Sequence, residues 1–140
     1  MPADRLQLAQ VMQWMFWEQY SHEPYVAVVR AWLAYFGVPA GKEAEVGERT
    51  ARGYAALDAM QAHLARAQWF GAERYSIADI ALYAYTHVAP AGRFDLSRYP
   101  AIGGWLERVK SQPGHVPSTR EALRRHTAEL PFRRGARERA

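Results

Sequence analysis

The chain has 140 residues, of which 49% are apolar, and its 18 Lys and Arg against 14 Asp and Glu give a formal net charge of +4. This length predicts one domain whose core needs no covalent cross-links. The absence of cysteine excludes disulfides, thiolate nucleophiles and thiolate metal ligands, and it favours a reducing compartment, so we expect a cytoplasmic protein. No basic N-terminal segment precedes an apolar one, and no uncharged apolar stretch reaches about 18 residues. We therefore expect neither a secretion signal nor a membrane span.

The positive charge is concentrated at the C-terminal end. Residues 120–140 contain seven Arg and three Glu, which leaves 11 basic and 11 acidic side chains in residues 1–119. A nucleic-acid-binding protein is expected to carry a basic face on a folded element, so nucleic acid is a disfavoured partner. We divide the chain into a helical domain over residues 1–117 and an Arg-rich C-terminal helix and tail over residues 118–140. The simplest interpretation of the tail is a solvated end.

Helical periodicity runs through nearly the whole chain, and no hairpin turn or long alternating run predicts a strand. A first helix is predicted over residues 4–20, with Asp4 as its N-cap. Pro24 lacks an amide proton and disfavours helical geometry at the preceding residue, so a kink or short break is expected over residues 21–24. A second apolar helical segment follows over residues 25–36.

The longest predicted helix covers residues 42–70. One face of this helix is charged. The apolar stripe on the opposite face consists of Val46, Thr50, Gly53, Tyr54, Leu57, Met60, Leu64 and Ala67. A glycine costs about 1 kcal/mol relative to alanine inside a helix. We therefore expect another helix to cross closely at Gly53.

The strongest local signal lies in residues 75–80. Ser76 is suited to an N-cap, and Asp79 can accept a hydrogen bond from the Ser76 amide, which together form a capping box. Tyr75 and Ile80 are spaced for the accompanying hydrophobic staple. The helix that follows is rich in small apolar residues and is predicted to be a central, buried helix. Its predicted buried stripe is Ile77, Ile80, Ala81, Ala84 and Val88.

Two further helices are predicted before the C-terminus. One covers residues 99–112 and directs inward Ile102, Trp105, Leu106 and Val109. The other is a short helix over residues 118–130, which ends before Pro131.

The residues alone indicate little catalytic chemistry. No two of the five histidines lie four positions apart, the spacing that puts two imidazoles side by side on one helical face, so the sequence offers no frame for a metal site. Phosphate-binding loops, dinucleotide fingerprints and nucleophile elbows are also absent. What remains is an aromatic and polar cluster at the first helix junction, namely Trp14, Trp17, Glu18, Tyr20, Ser21, His22 and Glu23. Such a group suits a ligand cleft, but tryptophan anchors in the core beside ordinary surface residues are the simpler interpretation.

Three segments, in order, resemble the all-helical C-terminal domain of the cytosolic glutathione S-transferases. Residues 14–25 (WMFWEQYSHEPY) resemble the first helix and its kink in bacterial members. Residues 75–80 (YSIADI) resemble the capping box and staple of the buried central helix, and residues 99–113 resemble the penultimate helix. The resemblance covers about residues 3–115. It implies an all-α fold, a helical bundle of the glutathione S-transferase C-terminal domain type.

In that family a thioredoxin-like domain comes first, binds glutathione and supplies the residue that activates its thiol. Because this chain begins where that domain would end, the resemblance implies no catalytic residue, no metal and no cofactor here. Glutathione is implied as a co-substrate only when the thioredoxin-like domain is supplied. The residues implied to bind the electrophilic second substrate are Trp17, Tyr20, Ser21 and His22. The resemblance also implies that Glu18 or Glu23 reaches toward the glutathione ammonium group.

The resemblance leaves two functions open. The chain is either the C-terminal domain of a transferase, with part of the electrophile pocket and the dimer contacts but no activity alone, or a stand-alone, non-catalytic protein-interaction module of the same fold. The fold does not decide between them. Without a thioredoxin-like partner domain, apolar surface on the first and central helices needs another protein to cover it. The family implies a homodimer, and a nucleic-acid contact through the Arg-rich tail is a distant third function.

Overall fold

The computed structural model of the protein describes residues 2–117, and the regular secondary structure within that range is entirely helical. Its α-helices are α1 (Arg5–Trp17), α2 (Glu23–Ala31), α3 (Glu43–Leu64), α4 (Ile77–Thr86) and α5 (Pro100–Lys110). Two 3-10 turns, Ala89–Gly92 and Leu96–Arg98, connect α4 to α5. The predicted all-α fold is confirmed. The helix predicted over residues 118–130 and the Arg-rich tail lie outside the described residues.

The first helix continues past the expected break. α1 passes through a five-residue π-helical turn, Glu18–His22, directly into α2. In this turn the Glu23 amide donates to the Glu18 carbonyl five residues back, and Pro24 takes the second position of α2. Because Pro24 has no amide hydrogen, it cannot continue this series of backbone bonds. The wider turn directly before it lets the chain remain helical across the proline.

Two predicted helix starts are confirmed by their hydrogen bonds. The Asp4 carboxylate accepts from the Gln7 amide at 2.9 Å. In the capping box, the Ser76 hydroxyl oxygen accepts from the Ala78 amide at 3.2 Å, and the Asp79 carboxylate accepts from the Ser76 amide at 2.9 Å. These bonds satisfy N-terminal amides that have no partner within the helix.

The long helix α3 is shorter than predicted, because it ends at Leu64 rather than at Phe70. The chain turns there so that the Phe70 ring is fully buried and the Phe70 amide donates to Asp79 at 3.0 Å. A hydrogen bond between His63 Nε2 and the Trp69 carbonyl oxygen, 2.9 Å long, closes this turn. The predicted apolar stripe is confirmed in its central part, whose buried members are Gly53, Leu57, Met60 and Leu64.

Gly53 does meet a close neighbour, but that neighbour is not a helix. A Cβ atom at this position would lie 2.6 Å from two carbons of the Phe94 ring. Phe94 is buried in the connection between α4 and α5, and the Tyr54 ring packs edge-on against it with centroids 5.2 Å apart. The close crossing predicted from the sequence is therefore made by a loop aromatic.

The central helix α4 buries a different face from the predicted one. Ile77 and Ile80 are 37% and 52% exposed, and Ala84 is also exposed. The side chains buried instead are Ala78, Asp79, Leu82, Tyr83 and Thr86. Asp79 faces inward because its carboxylate accepts hydrogen bonds from two loop amides and from the Trp105 indole. That orientation turns Ile77, Ile80 and Ala84, which we call the α4 outer face, toward the surface.

The core lies between the continuous α1–α2 segment, α3, α4 and α5. Its largest fully buried side chains are Trp105, Phe70, Phe94, Leu57, Met60, Leu82 and Ile102. From α5, Ile102, Trp105 and Val109 are buried as predicted, and Leu106 is partly buried. Within residues 2–117, no helix combines the length and the apolar character that crossing a bilayer requires.

The contact at Gly53 predicts opposite effects for two alanine substitutions in α3. Gly53→Ala should lower the free energy of unfolding by about 1–3 kcal/mol, because the new methyl group must displace the buried Phe94 ring. Gly47→Ala has open space around its Cβ and should raise stability by up to about 1 kcal/mol through helix propensity. Urea unfolding monitored by circular dichroism measures both changes. Equal effects at the two positions would contradict the assigned contact.

Candidate functional site

A surface cleft of about 410 Å³ lies beside the π-helical turn between α1 and α2. We call it the junction cleft. Its lining residues are Trp17, Tyr20, Ser21, Tyr25, Arg52, Ala55, Ala56 and Ala59. One wall therefore comes from the turn and the start of α2, and the other comes from the middle of α3.

The junction cleft combines aromatic side chains with an apolar wall of small residues. The three alanines of α3 leave room opposite the aromatic rings of Trp17 and Tyr25. Tyr20 is 82% exposed, so both its ring and its hydroxyl group are accessible from solvent. Amphipathic rings around a small number of polar groups are typical of small-molecule sites.

Arg52 supplies a fixed positive charge at this cleft. Its Nη1 donates to the Tyr25 hydroxyl at 3.0 Å, and its guanidinium lies 5.5 Å from the centre of the Tyr25 ring. Its Nη2 lies 2.8 Å from a Glu48 carboxylate oxygen. The hydrogen bond with Tyr25 raises the pKa of Arg52 above its usual value, so the group stays charged. The cleft therefore suits a ligand with an apolar body, and Arg52 at its edge is already paired with Glu48 and Tyr25.

Three of the four predicted substrate residues share the junction cleft, and the fourth does not. Trp17, Tyr20 and Ser21 line it. His22 is fully buried behind it, with Nε2 at 3.1 Å from the Thr86 hydroxyl oxygen. The Trp17 ring stacks near the His22 ring, with centroids 6.2 Å apart and an interplanar angle of 24°. In this structure His22 can influence a ligand in the cleft only through its neighbours.

The two glutamates named for the glutathione ammonium group differ in position. Glu18 is 2% exposed, and its Oε1 lies 3.8 Å from His22 Nδ1, so its carboxylate is withdrawn from the surface. Glu23, at the first position of α2, is only partly buried. In the described part of the chain, no group of three or more His, Cys, Asp or Glu side chains is arranged to hold a metal ion.

The α3 side of the cleft was missed by sequence reasoning. Arg52 and the alanines that line it lie about 30 positions beyond the turn, in a helix whose sequence showed only one apolar stripe and one charged face. Tyr25 belonged to the segment that carried the family resemblance, but nothing local marked it as a partner of Arg52. Only the packing of α2 against α3 brings these side chains together.

A second cleft, of about 430 Å³, opens at the α4 outer face. The Tyr83 and His87 rings stack there at 4.4 Å and 5°, and the His115 ring meets Tyr83 edge-on at 5.3 Å. Burial lowers the pKa of His87 below its usual value, assisted by the positive charge of Arg30. This side of the molecule is therefore apolar and aromatic.

Comparison with known families assigns the chain. The family model for the glutathione S-transferase C-terminal domain matches residues 16–113. That match covers more than half of the chain and includes the π-helical turn, the capping box and α5. The chain belongs to the glutathione S-transferase C-terminal domain family, as its sequence predicted.

Individual relatives agree with this assignment. A solved glutathione S-transferase from Pseudomonas fluorescens Pf-5 is 54% identical, with a TM-score of 0.79 over 84% of this chain and 58% of that one. One from Xanthobacter autotrophicus Py2 is 43% identical, with a TM-score of 0.78 over 83% of this chain and 57% of that one. The disulfide-bond oxidoreductase YfcG of Escherichia coli K12 is 44% identical over 50 residues, which are 36% of this chain and 23% of YfcG. The chain thus spans less than two thirds of the length of these relatives.

Because His22 is buried and Tyr20 is exposed, truncating the two side chains should change the free energy of unfolding by different amounts. His22→Ala should lower the free energy of unfolding by about 2–4 kcal/mol, because it empties a buried site and removes the partner of Thr86. Tyr20→Ala should change it by less than about 0.5 kcal/mol, because the side chain is almost fully exposed. Chemical denaturation of both variants tests this. A tolerated His22→Ala would contradict the buried placement.

Proposed function

We propose that this chain is the C-terminal domain of a glutathione S-transferase-like protein and that the junction cleft is its part of the site for the electrophilic second substrate. The observation that carries the proposal is the convergence of Trp17, Tyr20 and Ser21 on one cleft in a chain of this family. The alanines of α3 accommodate an apolar electrophile, and the tyrosine and serine hydroxyl groups can hydrogen-bond to its polar substituents.

In this proposal the present residues bind and orient, while a thioredoxin-like domain binds glutathione and activates its thiol. In the conjugation step the glutathione thiol loses its proton to solvent and its sulfur bonds to the electrophilic carbon, while the bond from that carbon to its leaving group breaks; with chlorodinitrobenzene the leaving group is chloride. Holding that carbon within reach of the sulfur is the contribution of the junction cleft, and such positioning alone lowers an activation barrier. His22 supports this arrangement through its contacts with Trp17 and Thr86, and Arg52 fixes the Tyr25 ring in the wall of the cleft.

The α4 outer face is the surface we assign to the thioredoxin-like domain. Its isoleucines are exposed in the isolated chain, and the second cleft extends the apolar area beside them. Contiguous apolar patches of this kind mark protein contacts. The same exposed face favours the alternative function, a stand-alone interaction module, because a different partner could occupy it.

Complementation separates these two functions. The isolated chain is expected to show no conjugation of glutathione to chlorodinitrobenzene, since in this proposal the group that activates the thiol belongs to the thioredoxin-like domain. Addition of the separately produced thioredoxin-like half of the Pseudomonas fluorescens relative should restore turnover. In the restored enzyme, Tyr20→Ala should raise the KM for chlorodinitrobenzene severalfold and leave the KM for glutathione unchanged. Phe36→Ala, which alters an exposed aromatic outside the junction cleft, is the matched control.

Two results would overturn this proposal, the first against the transferase assignment and the second against the non-catalytic role of this chain. Absence of turnover on complementation, together with absence of glutathione binding by calorimetry, would favour the interaction module. Robust turnover by the isolated chain that Tyr20→Phe or His22→Ala abolishes would show that the chain carries catalytic groups of its own.

We also propose a homodimer, in keeping with a family whose members commonly dimerise. The proposed contact is an exposed apolar stripe on α1 formed by Leu6, Met12 and Phe16, of which Leu6 is 68% and Phe16 is 69% exposed. A two-fold axis brings such a patch against its own copy. The stripe differs from the α4 outer face, so a dimer leaves that face available.

Sedimentation velocity at tens of micromolar protein is expected to show a dimer. Phe16→Ser should shift the equilibrium toward monomer, because it removes the largest apolar group of the stripe. Ile80→Ser, on the α4 outer face, should leave the dimer intact. A wild-type monomer, or an equal effect of the two substitutions, would contradict the proposed contact.

A further inference from the structure

The described part of the chain ends beside the α4 outer face. A turn after α5, closed by a 3.1 Å hydrogen bond from the His115 amide to the Gln112 carbonyl oxygen, redirects the chain toward α4. The His115 ring then meets the Tyr83 ring edge-on, and Val116 lines the second cleft. Residues 118–140 therefore begin two positions beyond a residue that lines this cleft.

The second cleft and the α4 outer face form one continuous apolar area. Ile80 and Ala84 belong to both. Ile80 is 52% exposed and Val116 is 77% exposed, so large apolar side chains of this area face solvent in the described part of the chain. Contiguous exposed apolar patches are typical of contact surfaces. The segment that starts at the edge of this area is the first candidate to cover it.

This segment carries an apolar stripe of the required length. Leu123 and Leu130 lie seven positions apart, which places them on one face of the helix predicted over residues 118–130. Their separation along the helix axis is about 10 Å at a rise of about 1.5 Å per residue. Ile77 and Ala84 are also seven positions apart, so the α4 outer face has the same length. The two stripes can therefore pack side by side over two helical turns.

We propose that residues 118–130 form a helix that packs on the α4 outer face of the same chain. The segment starts beside Tyr83, in the second half of α4, so the helix runs back toward Ile77 at the start of α4. In this arrangement Leu123 enters the second cleft and Leu130 reaches Ile77. The exposed isoleucines and the two leucines then bury one another.

Covalent attachment favours this occupant over a separate protein. A segment joined directly to the edge of its binding surface has an effective concentration of roughly a millimolar. An isolated helix of about 13 residues is marginal in water, so packing supplies the stability that the segment lacks alone. Arg120, Arg124 and Arg125 lie outside the leucine stripe of the predicted helix, so their charges stay in solvent when the leucines are buried.

The docked helix competes with the thioredoxin-like domain, because both use the α4 outer face. This consequence rests on the proposed function of that face, whereas the docking itself does not. The segment covers the isoleucines while the partner domain is absent, and it leaves them when that domain binds.

The absence of cysteine from the chain allows a direct test. Ala128 lies opposite the leucines on the predicted helix, so an Ala128→Cys variant can carry a nitroxide spin label without disturbing the contact. A nitroxide broadens the NMR signals of nearby nuclei. In the labelled chain we expect strong broadening of the Ile77 and Ile80 amide signals and little at Ala55 and Ala59, which line the junction cleft. Equal broadening at the two surfaces, or none at either, would overturn the proposal.

Two serine substitutions in the labelled chain identify the contact. Leu123→Ser should lower the ratio of docked to free segment by about tenfold or more, because it removes a buried leucine. The broadening at Ile80 should fall accordingly. Arg125→Ser, which lies outside the leucine stripe, is the matched control and should leave the broadening unchanged. Unaltered broadening in Leu123→Ser, or an equal loss in both variants, would contradict the assigned stripe.

A mixed sample distinguishes the same chain from a second copy. Spin-labelled chain at natural isotope abundance is combined with isotope-enriched chain that carries no spin label, so any broadening of the Ile80 signal arises between copies. We expect none at Ile80. Strong broadening there would assign the segment to the surface of a second copy and overturn the proposal.

Complementation tests the competition separately. Leu123→Ser should reach half of its restored turnover at a severalfold lower concentration of the thioredoxin-like half than the wild-type chain needs, and Arg125→Ser should behave like wild type. An unchanged requirement in Leu123→Ser, with docking demonstrated by the spin label, would refute only the competition. Absence of turnover in every variant would refute the proposed transferase function and leave the docking result standing.

Discussion

The fold depends on one buried carboxylate. Asp79 is fully buried and accepts hydrogen bonds from the Phe70 amide, the Ser76 amide and the Trp105 indole at 2.9–3.0 Å. Burial raises the pKa of Asp79, and these three donors oppose that shift. Burying a carboxylate without hydrogen-bond donors destabilises the folded state by several kcal/mol. Moving any of the three donors away from Asp79 is therefore unfavourable. A single side chain thereby joins the loop after α3, the start of α4 and the middle of α5.

The same carboxylate determines what the rest of α4 does. Because Asp79 faces inward, Thr86, two turns later on the same helix face, is also buried and meets His22. Through Thr86, α4 thus reaches the π-helical turn next to the junction cleft, although no residue of α4 lines the cleft. The inward orientation also leaves Ile77 and Ile80 on the surface, so the requirement of the carboxylate outweighs the burial of two large apolar side chains. The rotation of α4 about its own axis thus determines three features: the buried Asp79, the Thr86 contact with His22, and the exposed α4 outer face.

The sequence predicted those features that depend on neighbouring residues. Asp4 and Ser76 cap helices because their partners lie within three positions, and the buried part of the α3 stripe follows from local periodicity. Features that depend on distant partners were not accessible. The buried face of α4 is set by a hydrogen bond to Trp105, 26 positions away, and an apolar stripe alone cannot reveal that a polar face is the inner one. The end of α3 depends likewise on Asp79.

In the candidate site, too, local features were predicted and features that depend on distant residues were not. The family resemblance pointed to the turn, and in the structure Trp17, Tyr20 and Ser21 from that segment line one cleft. It gave no means of separating His22 from them, because adjacent residues in a helical turn point in different directions and only the position of Thr86 shows which one is enclosed. Arg52 reached the cleft through helix packing that no local pattern encodes.

The π-helical turn also sets the phase between two helices. Each residue of an α-helix rotates the chain by about 100°, and the wider turn adds one residue to the count. Val11 on α1 and Val26 and Val29 on α2 all reach the core with 0% exposure under that phase. Deleting one residue from the turn would give a uniform α-helix and rotate α2 relative to α1 by about 100°. Either Val11 or the pair Val26 and Val29 would then face solvent. The number of residues in the Glu18–His22 turn is therefore constrained as tightly as the composition of the core. An insertion or deletion in this turn is expected to be less tolerable than most substitutions.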